Sequence, residues 1–129
     1  MPRVAVLLVD DQAPFRSAAR AVVQRLQEFS VVGEAYSGEE AVALAGDLRP
    51  ALVLMDINMP GVNGIEATHR IVSANPDVVV ILCSTYKQAD LPSGTADSGA
   101  RAYLHKEHLG GDALRRLWRE RDSGMFGYC

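Results

Sequence analysis

The chain has 129 residues, 48 % hydrophobic and 22 % charged, with a formal net charge of −3. That length suits one compact domain with a real core, and the slight acidic excess offers no basic footprint for direct nucleic-acid binding. The opening apolar run meets Asp10 and Asp11 too soon for a secretory signal, no stretch approaches the ~20 apolar residues of a membrane span, and Cys83 and Cys129 are too few for a disulfide framework or structural zinc, so a cytoplasmic protein without a membrane partner is expected.

Val4 to Val9 is a continuous aliphatic run, fit for a strand buried on both faces. Pro14 then suits the first turn of a helix, which Phe15, Ala18, Ala19, Val22, Val23 and Leu26 continue at helical spacing. Val31 to Ala35 reads as a second strand. Ser37 with Glu40 forms a capping-box pattern and opens a helix to about Leu48. Ala51 to Met55 is a third strand, ending at Asp56, and Pro60-Gly61 marks a loop. Asn63 and Glu66 begin a helix that runs to about Ala74. Val78 to Cys83 is the most hydrophobic strand, Ala102 to Leu104 a short fifth, and Leu109 to Arg121 the last helix. Between Tyr86 and Gly99 a fourth helix is due, but Pro92-Ser93-Gly94 interrupts it, since proline costs ~3 and glycine ~1 kcal/mol against alanine in a helix. A short helix after Pro92 or a mobile loop is expected there. The domain is expected over 1–121, followed by a flexible tail over 122–129 with no output domain.

Strands alternating with helices predict an α/β fold, a doubly wound five-stranded parallel sheet with helices on both faces. Ligands of such sheets sit beyond the carboxyl ends of the strands. That rule selects Asp10, Asp11, Asp56, Ser84, Thr85 and Lys106. An isolated aspartate after a strand is more often a turn or cap residue. Three on neighbouring strands repel one another unless a cation joins them, and carboxylates, a carbonyl and water suit Mg2+. With a lysine and a hydroxyl nearby the set can serve phosphoryl transfer to a carboxylate, or metal-assisted hydrolysis of an external phosphoester. His69, His105 and His108 read as solvated side chains, and Arg115, Arg116, Arg119 and Arg121 as a basic outer helix face that favours the helix dipole.

Four pieces, in this order and spacing, carry a resemblance: Leu7-Leu8-Val9-Asp10-Asp11; Leu54-Met55-Asp56-Ile57-Asn58-Met59-Pro60-Gly61 with Asn63-Gly64; Ser84; and Tyr103-Leu104-His105-Lys106. From Val4 to Arg121 the chain resembles the receiver (phosphoacceptor) domain of bacterial two-component response regulators. Phe15-Arg16 and the segment after Asp56 are most similar to the subfamily that usually carries a C-terminal helix-turn-helix domain. The resemblance implies the flavodoxin-like strand order 2-1-3-4-5. It implies that Asp56 accepts a phosphoryl group from the phosphohistidine of a sensor histidine kinase. Asp11, Asp56 and the carbonyl of Asn58 would bind Mg2+, with Asp10 acting through water. Lys106 would pair with the phosphoryl oxygens, Ser84 would be the switch hydroxyl, and Tyr103 the aromatic that reports the state. Homodimerisation on activation belongs to the same expectation, as does slow loss of the phosphoryl group rather than the turnover of an ordinary enzyme. The alternative is a pseudo-receiver, an interaction module that binds a partner without phosphorylation. The interrupted fourth helix departs from the family pattern, as do Lys87-Gln88 after Tyr86.

Overall fold

A computed structural model describes residues 3–129, so the first two residues of the expected 1–121 domain lie outside the described residues. The elements are β1 (Val4–Val9), α1 (Ala13–Gln24), β2 (Phe29–Ala35), α2 (Gly38–Leu48), β3 (Leu52–Asp56), α3 (Gly64–Ala74), β4 (Val79–Ser84), β5 (Ala102–His105), α4 (Gly111–Arg119) and β6 (Gly127–Tyr128). Single 3-10 turns occupy Gln88–Asp90 and Lys106–His108.

The strands form one parallel sheet in the order β2-β1-β3-β4-β5-β6. The expected order 2-1-3-4-5 is kept, but the sheet has six strands rather than five. The sixth comes from the 122–129 segment, which has no periodic apolar pattern to announce it.

Period-two alternation divides the sheet into two cores. Val6, Leu8, Leu52, Leu54, Ile81 and Leu104 face α1 and α4, where Ala19, Val23, Leu114 and Leu117 close the layer. Leu7, Val9, Val53, Met55, Leu82 and Tyr103 face the other way, onto Ala41 of α2 and Ala67 and Ile71 of α3. The helix starts follow from their caps: Ser37 Oγ accepts from Glu40 N–H at 3.1 Å and Asn63 Oδ1 from Glu66 N–H at 2.9 Å. Glu40 reaches back one residue beyond the cap and accepts from Tyr36 N–H at 2.9 Å, a variant of the capping box.

The connection from β4 to β5 corrects the expectation of a short helix after Pro92. The one helical turn there, Gln88–Asp90, lies before the proline. After it Gly94 takes φ +86°, a left-handed conformation that ends any helical path. The chain instead folds through turns whose polar groups bond locally. Thr95 Oγ1 donates to Pro92 O at 2.6 Å, Ser98 Oγ to Thr95 O at 2.7 Å, and Ala100 N–H to Ser98 Oγ at 3.2 Å. Tyr86, Leu91 and Phe126 cover this part of the sheet in place of a helix.

Candidate functional site

Parallel register brings the carboxyl ends of four strands together. Val9 pairs with Met55, Asp56 with Cys83, and Ser84 with His105. Asp10 and Asp11 follow β1, Asp56 ends β3, Ser84 ends β4, and Lys106 follows β5. The α3 end of the pocket depends on a close approach: a Cβ on Gly64 would stand 2.0 Å from Asp56 O, so no larger residue fits the bend.

One carboxylate oxygen from each of Asp10, Asp11 and Asp56 lies within 4.8 Å of the others. Asp10 and Asp56 are buried, and Asp11 is exposed. Lys106 Nζ sits 2.6 Å from Asp10 Oδ2 and 3.4 Å from Asp56 Oδ1. The ammonium also stands 4.5 Å above the Phe15 ring centroid, where the π-face favours a cation. Asp10 Oδ1 accepts from Gln12 N–H at 2.8 Å, and Asp56 Oδ1 from Asn58 N–H at 3.3 Å. Asp10 Oδ2 has no partner among the described residues other than the Lys106 ammonium.

Burial, then the charge of Asp10, pushes the Asp56 carboxyl up to about 6, against the opposing pull of Lys106. Burial works to lower Lys106, but its hydrogen bond to Asp10 and the charges of Asp56 and Asp10 prevail and raise it. Burial raises the Tyr103 phenol and pushes the Cys83 thiol up to about 12, which leaves that cysteine an inert core residue. The donor set is all hard oxygen, it carries a surplus of negative charge, and one oxygen is short of partners. These residues fit a small divalent cation such as Mg2+.

Behind the carboxylates Ser84 is buried, with Oγ 2.7 Å from Tyr103 Oη, and Tyr103 is itself buried. Sequence reasoning had no role for Tyr86, yet three of its groups bear on the site. Its N–H donates to Ser84 Oγ at 3.1 Å, its carbonyl accepts from Tyr103 Oη at 2.7 Å, and its hydroxyl donates to Asn58 Oδ1 at 3.2 Å. Arg16 also enters, donating to Asp10 O at 2.6 Å while it pairs with Glu34. Apart from the bond of Tyr86 N–H to Ser84, two residues away, these contacts have no local sequence signal, because each joins residues on different elements. Thr85 is exposed, and its carbonyl lies 3.1 Å from His105 Nε2. His69 and His108 are exposed.

Residues 6–117 match the family model described as the response regulator receiver domain. The transcriptional regulatory protein DegU of Brevibacillus brevis is 37 % identical over 112 residues, covering 87 % of this chain and 47 % of DegU. The chain thus spans about half the length of the curated relatives it matches. Among solved structures, the response regulator domain of Thermotoga maritima CheB superposes with a TM-score of 0.82 at 30 % identity, covering 94 % of this chain and 98 % of that one. The CheX-CheY-BeF3-Mg2+ complex of Borrelia burgdorferi shares the fold, with a TM-score of 0.81 at 24 % identity over 93 % of this chain and 89 % of that one.

Proposed function

Because the chain belongs to the family of response regulator receiver domains, we propose that it is a switch worked by a phosphoryl group carried on Asp56. The observation that carries this reading is the triad of carboxylates within 4.8 Å of one another beside the Lys106 ammonium. Asp56 is the acceptor: an Asp56 oxygen attacks phosphorus in line, the P–N bond of a phosphohistidine breaks, and the imidazole leaves with the electron pair. The product is an acyl phosphate on Asp56. Asp11, Asp56 and the Asn58 carbonyl would hold Mg2+, with Asp10 acting through water, and the ion would supply positive charge for the phosphoryl oxygens. Lys106 supplies the second positive charge, and a short swing from Asp10 delivers it. Burial first, and then the charge of Asp10, raises the Asp56 pKa, and a bound cation would offset both.

The phosphoryl donor is a sensor histidine kinase, in the cytoplasm. No helix among the described residues is long and apolar enough to cross a membrane. The pseudo-receiver alternative has no support in a pocket that keeps three carboxylates, a lysine and a hydroxyl. Intact-mass spectrometry after incubation with acetyl phosphate tests the reading. A gain of about 80 Da that requires Mg2+ and vanishes in Asp56→Asn is the expected result for one acyl phosphate. An equal gain in Asp56→Asn overturns it.

A further inference from the structure

The strand that follows α4 has no part in the phosphoryl chemistry, yet it is seated on the residues that would respond to it. β6 runs along the outer edge of β5, with Ala102 opposite Gly127 and Tyr103 opposite Tyr128. Gly127 N–H donates to Arg101 O at 3.0 Å, Cys129 N–H to Tyr103 O at 2.9 Å, and His105 N–H to Cys129 O at 2.8 Å. Phe126 packs against the core that contains Tyr103, and Cys129 against the opposite core. From α4, Arg116 Nη2 donates to Tyr128 O and lies 3.1 Å from Cys129 Sγ. The turn before the strand is pinned by Arg101, which donates to Arg121 O at 2.8 Å and Asp122 Oδ1 at 3.0 Å.

The segment is nonetheless lightly held. Met125 is 78 % exposed. Cavities of about 370 and 350 Å3 flank it, the first beside Met125 and Phe126, the second beside Tyr103, His105 and Tyr128. A short edge strand between two cavities belongs to the low end of local stability, where segments open without global unfolding.

Its seat is wired to the site. Tyr103 Oη lies 2.7 Å from Ser84 Oγ, 3.0 Å from Ser84 O and 2.7 Å from Tyr86 O. Carbonyls only accept, so the phenol gives its one proton to them, and the Ser84 hydroxyl donates to Tyr103 Oη. Ser84 has a single proton to give. A phosphoryl group is an anionic acceptor and competes for it. Once Ser84 turns away, a buried phenol oxygen loses its donor, and the packing built over Tyr103 weakens.

We propose that β6 is an autoinhibitory latch: docked on β5 it holds Tyr103 and Ser84 together, and a phosphoryl group on Asp56 that draws Ser84 away releases it. The latch rests on the reading of Asp56 given above. Coupling of this kind is reciprocal, so loosening the latch also frees Ser84 for the phosphoryl group.

Amide hydrogen exchange on the full chain, with and without Mg2+ and beryllofluoride, tests it. His105 and Cys129 are expected to exchange roughly fivefold faster with the anion, the effect of one lost hydrogen bond, while the amides of β3 stay unchanged. Added protection at 57–59 with His105 and Cys129 unmoved overturns the latch. No change at 57–59 means that the anion has not bound, so the Asp56 reading fails and Ser84→Ala without anion decides the latch. Faster exchange at His105 and Cys129 in that variant supports it; unchanged exchange overturns it. Phe126→Ala is expected to accelerate the same two amides and to bind beryllofluoride several-fold tighter. Accelerated amides with unaltered affinity overturn the coupling.

Discussion

The sheet is covered on different terms before and after β4. As far as β4, each crossover is an amphipathic helix of 11 or 12 residues with a fully buried stripe. From Thr85 to Arg101 the crossover holds one 3-10 turn, and Thr95 and Ser98 are buried at 3 % and 4 % exposure. A helix satisfies its main chain internally, so apolar side chains suffice to pack it. A buried irregular segment must bond its main chain through hydroxyls, and these side chains do so. The carboxylates proposed for the phosphoryl chemistry belong to the regular half, whereas Lys106 follows β5. The groups that would respond to it, Ser84, Tyr103 and β6, belong to the irregular half.

The sharpest way to break this comparison is to strike the regular half where it has no slack. Gly64→Val is expected to cost about 3 kcal/mol or more, because its Cβ would meet main chain at Asp56 rather than a movable side chain. A urea melt would show the loss, and beryllofluoride binding should go with it. Lys106→Met is next, at about 3 kcal/mol at pH 7, since it leaves Asp10 and Asp56 buried without their counter-charge. Mg2+ should restore much of that loss in a thermal melt, whereas it should not rescue Gly64→Val.

Asp56→Asn works in the opposite direction. In metal-free protein it is expected to stabilise by about 2 kcal/mol at pH 7. The folded carboxyl titrates near 6, against an ordinary 3.8. Between those values the native state holds a proton that the unfolded state has lost, so wild-type stability falls as pH rises from 3.8 to about 6 and levels off above. Urea melts in chelator across that window should show the fall in wild type and its absence in the variant. In the irregular half Ser98→Ala should cost about 1 kcal/mol, because Ala100 N–H loses its acceptor. Tyr86→Phe is the smallest, about 0.5 kcal/mol in a melt, since its bond to Asn58 is exposed. A loss at Ser98→Ala as large as that at Gly64→Val would abolish the distinction between the halves.

The regular half was largely legible in the sequence. Val4 to Val9 and Val78 to Cys83 declare buried strands by composition. Ser37 with Glu40 and Asn63 with Glu66 declare helix starts within four residues, because a cap bonds across a single turn. From these elements the rule of strand ends selects Asp10, Asp11, Asp56, Ser84, Thr85 and Lys106 without any contact being known, and of these Thr85 lies exposed. That the ends meet follows from parallel pairing, and the described distances bring the carboxylates and the lysine together.

What only the tertiary structure decided lies at long sequence separation and in few residues. Arg116 read as part of a basic outer helix face, and its guanidinium donates to the Tyr128 carbonyl. Tyr86 carried no motif, but it bonds Asn58, Ser84 and Tyr103 from a loop. β6 is two residues long, and its pairing uses main-chain groups that every residue carries. No side-chain period can mark such a strand. Composition and local spacing determined the elements and the chemistry at their ends, because burial and capping act over a few residues. The sixth strand, the path after Pro92 and the seat of Tyr103 were decided by which main-chain groups remained unpaired once the rest had folded.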